Sequence, residues 1–183
     1  IEYADLHSIL DAFAHYFHNG QITYEAFVDG VAYGGREYVE HPEAFGVPER
    51  NVAYVQSTRK PVDDIIAFLS EHEEELDSLD IVAADTALYQ KIEEQIPLVT
   101  KSVYTTSAVS YRLEISHKNS GKATGLAYVL KLLDITPEET VAFGDGDNDA
   151  EMLEFAGLGV AMENATENCK AAADIVCDCC KND

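Results

Sequence analysis

Apolar and polar positions along the chain follow two rhythms, and the change comes near residue 116. In residues 116–183 short apolar runs alternate with helical patterns: helix near 122–134, strand near 140–144, helix near 148–156, strand near 158–162, helix near 166–173 and strand near 174–177. Strands separated by single helices build a parallel sheet, so this segment is expected to be α/β. Its first helix is the best marked. Leu126, Val129, Leu130 and Leu133 stand at i, i+3, i+4 and i+7 and line one stripe.

Residues 1–115 mix helices with short, partly alternating strands and are expected to form a separate α+β module. The stretch "PVDDIIAFLSEHEEEL" predicts a helix beginning at Pro61, with Asp63 and Asp64 in its first turn and Val62, Ile65, Ile66 and Leu69 as its apolar stripe. Strands are predicted over 51–57, 80–85, 98–105 and 110–116, where β-branched and aromatic residues gather. The last two are expected to pair as a hairpin across "TSAV". No internal repeat or low-complexity linker separates the two segments.

The densest chemistry lies in "VAFGDGDNDAEML", residues 141–153. Val141, Ala142 and Phe143 read as strand, Gly144 and Gly146 as turn, and Ala150 to Phe155 as the opening of a helix. Asp145, Asp147, Asn148 and Asp149 therefore fall at a strand-to-helix crossing. In an open parallel sheet ligands gather at the carboxyl ends of strands. Oxygen ligands there suit a hard divalent cation such as magnesium, and the following helix amino terminus favours a phosphate beside it. A calcium loop fails at its two diagnostic points: its sixth position is Ala150 rather than glycine and its twelfth is Ala156 rather than glutamate. Helix capping is the competing reading, since Asn148 followed by Glu151 resembles a capping box. Capping leaves three mutually repelling carboxylates unexplained. Lys122 opens the helix of 122–134 within "SGKATGL", where a cation opposes the helix dipole but suits the binding of an anion.

Composition narrows the function class. Acids outnumber bases 34 to 12, a formal charge of −22, divided as 21 acids and 7 bases over residues 1–115 and 13 and 5 over residues 116–183. That balance repels nucleic acid and anionic membranes, and neither is expected as a partner. No apolar run reaches the ~18 residues of a membrane span. Of the cysteines, Cys169 stands apart while Cys177, Cys179 and Cys180 crowd into "CDCC". Their spacing is not that of a disulfide framework, so a reducing cytoplasm is expected, and no second ligand cluster completes a zinc site. His15 and His18 share a helix face at i, i+3 and could hold a metal between them, although helix histidines without such a role are much commoner. His7 carries no assigned role, and His117, close to the junction of the two segments, could contact a substrate. The opening "IEYADLHSILDAFAHYF" resembles neither a start nor a signal peptide, and further sequence upstream is expected.

Lys122 followed by "GDGDND" resembles the third and fourth motifs of the haloacid dehalogenase (HAD) superfamily. The whole stretch from "SGKATGL" to "CKAAADIV", residues 120–176, is similar to the carboxyl-terminal core of its Cof-type phosphatases. The resemblance is specific over about residues 115–178 and rests on pattern alone upstream. It implies a Rossmann-like parallel-sheet core, with residues 116–183 as its carboxyl-terminal part, and an α+β cap domain over residues 1–115. It implies that Asp145 ligates magnesium directly and that Asp149 completes the acidic site through the metal's water shell or by orienting the lysine. Asn148 would hold the phosphate or substrate edge, and Lys122 would neutralise charge on the transferring phosphoryl group. Asp147 stands at the motif's variable position and is expected to be only solvated. The implied reaction moves a phosphoryl group from a small phosphorylated metabolite, usually a sugar phosphate, to an aspartate, followed by hydrolysis with Mg2+ as cofactor.

One part of the family pattern is missing. The nucleophile belongs to an Asp-x-Asp motif on the family's first strand, followed by a serine or threonine motif on the second. No Asp-x-Asp precedes "QSTR" at 56–59, and that tetrapeptide lies inside the cap-like segment. The chain is therefore expected to be a segment of a complete phosphatase, inactive by itself, with the strand near Val141 left as an open apolar edge. The alternative is a non-catalytic remnant that binds a phosphorylated ligand or a protein partner.

Overall fold

In the computed structural model, which describes residues 1–178, the chain divides into two units, Ile1–Lys118 and Asn119–Asp183. The first unit runs α1 (Tyr3–His18), β1 (Ile22–Val28), β2 (Val31–Gly35), α2 (Arg36–Glu40), a 3-10 turn (Pro42–Phe45), α3 (Glu49–Thr58), β3 (Arg59–Val62), α4 (Ile65–Glu71), β4 (Leu76–Ala83), α5 (Thr86–Val99), β5 (Val103–Val109) and β6 (Arg112–His117). Its six strands lie in the order β3-β2-β1-β4-β6-β5. All neighbours are antiparallel except β2 and β3. The β1–β2 hairpin closes through Asp29 and Gly30 at φ 50° and 71°, the left-handed pair that a two-residue turn requires.

β1 sets the layering through its alternation. Ile22, Tyr24, Ala26 and Val28 join Leu79, Ile81, Leu113 and Ile115 in a core that α1, α4 and α5 complete with Ile9, Phe13, Leu69, Ile92 and Ile96. Glu25 points to the other face and is fully buried there. Arg59 donates to both of its carboxylate oxygens at 2.9 Å, and the Tyr38 hydroxyl donates at 2.5 Å. Arg112 extends the cluster, with its Nη2 3.0 Å from Glu114 and its Nε 3.3 Å from Asp80. Burial pushes the Asp80 carboxyl well above its ordinary value, against the opposing charge of Arg112. A second, smaller core of Tyr38, Val39, Phe45, Val47, Val55 and Val82 lies on this face.

Three expectations for this unit are corrected. Residues 51–57 are helical, within α3, because Val52 and Val55 are spaced for a helix and pack together on the smaller core. The helix expected from Pro61 begins at Ile65: Asp64 accepts from the Ile66 and Ala67 amides at 3.0 Å and caps it. Pro61 and Val62 instead belong to β3 at the sheet edge, where a missing amide is tolerated. Leu98 and Val99 end α5 rather than open a strand, and "TSAV" lies within β5. The β5–β6 pair is antiparallel as expected, but it turns at residues 110–111.

The second unit carries α6 (Lys122–Leu133), a 3-10 turn (Pro137–Glu139), β7 (Val141–Gly144), a second 3-10 turn (Asp147–Asp149), α7 (Ala150–Phe155), β8 (Leu158–Met162), α8 (Glu167–Ala172) and β9 (Ile175–Cys177). The strands are parallel in the order β7-β8-β9, joined by single-helix crossovers as the sequence pattern implies. Small residues let α7 and α8 approach one sheet face: Ala142, Ala161, Ala165 and Cys169 are buried with Leu153. The other face is bare over Val141, Phe143 and Ile175, each at least 50% exposed, although Val160 between the last two is buried. The stripe of α6 is only partly covered: Leu130 is buried, but Val129 and Leu133 are exposed. β7 is an edge strand. Cys179 and Cys180 lie outside the described residues; Cys169 and Cys177 are free thiols. Among the described residues no helix is long and apolar enough to cross a membrane.

Two outcomes are expected. Glu25→Ala strands the buried Arg59 charge and should lower unfolding stability by about 3–5 kcal/mol. A wild-type denaturant midpoint would refute that role. The bare apolar face should make the 183-residue chain self-associate with rising concentration, and Phe143→Lys should reduce this in sedimentation velocity. A wild-type chain that stays monomeric across the range would contradict it.

Candidate active site

β7 delivers its last residue, Gly144, to the carboxyl edge of the parallel sheet, and the acidic turn follows at once. Asp149 organises that turn. It is buried, and its Oδ2 accepts from the amides of Asp145 and Gly146 at 3.0 Å each. Its Oδ1 accepts from Lys122 Nζ. Burial pushes the Asp149 carboxyl up, but the hydrogen bonds from Lys122, Gly146 and Asp145, together with the lysine charge, hold it below its ordinary value of 3.8. Glycine at 144 is a steric requirement, because a Cβ there would lie 2.4 Å from Asp149 Cβ. At Gly146 a Cβ would meet Asn148 Oδ1 at 2.7 Å.

Lys122, Asp145, Asn148 and Asp149 thus belong to one unit, with Lys122 and Asp149 in direct contact. Lys122 is the first residue of α6, and its side chain is about half exposed at 48%. Asp149 offsets the unfavourable placing of a cation at that helix end. Asp145 is exposed, and among the described residues none donates to its carboxylate. Its main-chain oxygen accepts from the Thr166 amide at 3.0 Å. The Asn148–Glu151 capping box is not formed: α7 begins at Ala150, and the side chain of Asp149, its N-cap, makes no capping bond. Asp147 is more than solvated, because the Thr166 hydroxyl donates to its Oδ1 at 2.6 Å. Thr166 itself escaped the sequence reading. Its place as the N-cap of α8 is readable from residue type, but its contact with a residue 19 positions upstream is not.

The donor set suits a magnesium ion in one respect. Magnesium keeps much of its water and takes one or two carboxylates, and Asp145 presents a free one beside a polar turn. Asp147 and Asp149 already accept hydrogen bonds. Among the described residues no three His, Cys, Asp or Glu side chains converge as a ready metal cage. This includes His15, which contacts Asn19, and His18, which bonds the Ala14 carbonyl. In "QSTR", Ser57 and Thr58 both donate to the Tyr54 carbonyl inside the first unit.

A family profile described as haloacid dehalogenase-like hydrolase matches residues 1–183. The chain belongs to that family. A phosphoglycolate phosphatase of Methanopyrus kandleri is 51% identical over 69 residues, which is 38% of this chain and 29% of that protein. A HAD-like hydrolase from B. subtilis superposes with a TM-score of 0.76 at 24% identity, covering 97% of this chain and 66% of that one. A HAD subclass IIB sugar phosphatase superposes with a TM-score of 0.66 at 20% identity, covering 93% and 60%. The chain therefore spans 60–66% of the length of these solved HAD relatives.

The geometry of Asp149 has a pH consequence. Its folded value lies below its unfolded one, so its contribution to stability is present above the unfolded value and is lost as pH falls through the folded value. The second unit should therefore weaken below about pH 4. Asp149→Asn should be less stable at neutral pH and flatter in that acid window, as followed by urea midpoints. An unchanged acid slope would remove Asp149 from the explanation. Gly144→Ala should destabilise the second unit by about 1–3 kcal/mol through the Asp149 clash, and a neutral substitution would show that the turn can relax.

Proposed function

We propose that the intact protein is a magnesium-dependent phosphatase of small phosphorylated metabolites, with sugar phosphates the favoured class. The observation that carries this reading is the exposed, free Asp145 carboxylate held next to the Lys122–Asp149 pair at the carboxyl edge of the parallel sheet. Family membership and the phosphatases among its relatives support the reaction type, and fold likeness to a sugar phosphatase supports the substrate class.

The residues divide the work by charge. Asp145 would hold the magnesium with water completing its shell, and the ion, when bound, supplies charge neutralisation to the phosphoryl group. Lys122 brings a second positive charge to the same edge, restrained by Asp149 so that its ammonium stays on the turn. Asp149 acts through the lysine and the two amides that it accepts from. Asn148, half-buried with its Oδ1 beside Gly146, would offer its amide nitrogen to a phosphate or substrate oxygen. In this reading the nucleophile of the covalent step is an aspartate outside these 183 residues. Cysteine usage and the acidic charge support a cytoplasmic setting with no nucleic-acid partner as part of this reading.

The test is release of phosphate from p-nitrophenyl phosphate with and without Mg2+, for the intact gene product and for these 183 residues alone. The intact protein should turn over only with the metal, Asp145→Asn should abolish this, and Lys122→Ala should reduce kcat about 100- to 1,000-fold. The isolated 183 residues should be inactive. Turnover by them would overturn the division of the site, and an inactive intact protein that still binds phosphorylated ligands would favour a binding role instead.

A further inference from the structure

Besides the Lys122 bond to Asp149, two bonds among the described residues reach the acidic turn from outside it, and both come from Thr166. Its amide donates to the Asp145 main-chain oxygen at 3.0 Å, and its hydroxyl donates to Asp147 Oδ1 at 2.6 Å. The same hydroxyl accepts from the Cys169 amide at 3.2 Å, and the Thr166 carbonyl accepts from Lys170 at 2.9 Å, so the residue is anchored as the N-cap of α8. It is therefore a fixed point rather than a floating side chain. The turn needs one. Asp145 stands between Gly144 and Gly146, the residue type with the greatest backbone freedom. Asp149 holds the Asp145 and Gly146 amides from within, but nothing in that contact fixes the carbonyl side of Asp145 or the crest at Asp147.

We infer that Thr166 is a positioning residue: through Asp147 and the Asp145 carbonyl it clamps the acidic turn to the start of α8 and so sets the direction in which the free Asp145 carboxylate points. The parallel pairing of β7 and β8, with Gly144 opposite Ala161, brings the loops after both strands side by side and makes the clamp possible. Asp147 acquires a role that its position in the motif does not suggest, as the acceptor that turns a helix cap into a brace. The inference takes the purpose of the turn from the phosphatase reading, while the clamp itself stands on geometry alone.

The amide bond survives any side chain at 166, so the hydroxyl and its acceptor are what substitutions address. Amide hydrogen exchange and Mg2+ titration by NMR on the 183-residue chain separate the possibilities. Asp147→Ala removes the acceptor without touching the α8 cap. It should speed exchange at Asp145 and Gly146 about tenfold and weaken any Mg2+ response by a similar factor, with Cys169 and Lys170 unchanged. Asp147→Asn keeps an acceptor without the charge and Thr166→Ser keeps the hydroxyl, so both should stay near wild type. Thr166→Ala should loosen both sets of amides. If Asp147→Ala leaves Asp145 and Gly146 unaltered, or if Thr166→Ser behaves like Thr166→Ala, the residue is only a helix cap and the inference falls. A wild-type chain that shows no Mg2+ response but keeps the exchange pattern supports the clamp and counts against the metal reading instead.

Discussion

A buried carboxylate with three donors is the constraint on which the second unit turns. Asp149 is 4% exposed, and such a group is tolerable only if its charge is matched. Two main-chain amides and one ammonium match it. Those same bonds bend the chain after β7 tightly enough that position 144 admits no side chain, and they hold Lys122 at a helix end that would otherwise disfavour it. The stability of the turn and the placing of the cation are thus one interaction. Among the described residues the turn leaves the Asp145 carboxylate without a donor, as the proposed metal role requires.

The first unit solves a similar problem without exposing the result. Glu25 is buried in the middle of a six-stranded sheet, and Arg59, Tyr38 and Arg112 surround it. Breaking one partner of such a cluster is far more damaging than never having built it. The cluster therefore fixes which face of β1 each residue takes, since a slip of one residue would drive Glu25 into the apolar core formed by Tyr24 and Ala26.

How far each unit could be read from sequence follows from the range of its contacts. In the second unit each strand or helix is announced by its own residues: α6 starts at Lys122 and β8 covers 158–162, as the periodicity implies. The grouping of the candidate residues was legible for the same reason, because they lie within five consecutive positions and one earlier lysine. The contact from Thr166 was not, as it depends on two loops meeting across parallel strands. In the first unit Val52 and Val55 suggested a strand by residue type, whereas their spacing and their packing against Val82 and its neighbours make them helical. Pro61 suggested a helix start by type, yet Asp64 supplies the cap. The Asp29-Gly30 pair was a local hairpin signal that the reading passed over, and it sets the register of β1 with β2. Arg59 gave no signal at all, because its partner lies 34 positions away.

Charge gives the candidate site its final shape. With a formal charge of −22, the chain as a whole opposes the approach of a phosphorylated metabolite. At an ionic strength near 0.15 M that opposition is screened beyond about 8 Å, so what an anion meets at the site is decided by its immediate neighbours. There the balance is set by one lysine against Asp145, Asp147 and Asp149, and it remains negative. A single divalent cation would cancel that excess, and under the phosphatase reading Asp145, whose carboxylate has no donor among the described residues, would hold it. Under the phosphatase reading this charge distribution would favour metal binding before substrate, because the arrangement that repels an anion also attracts a cation.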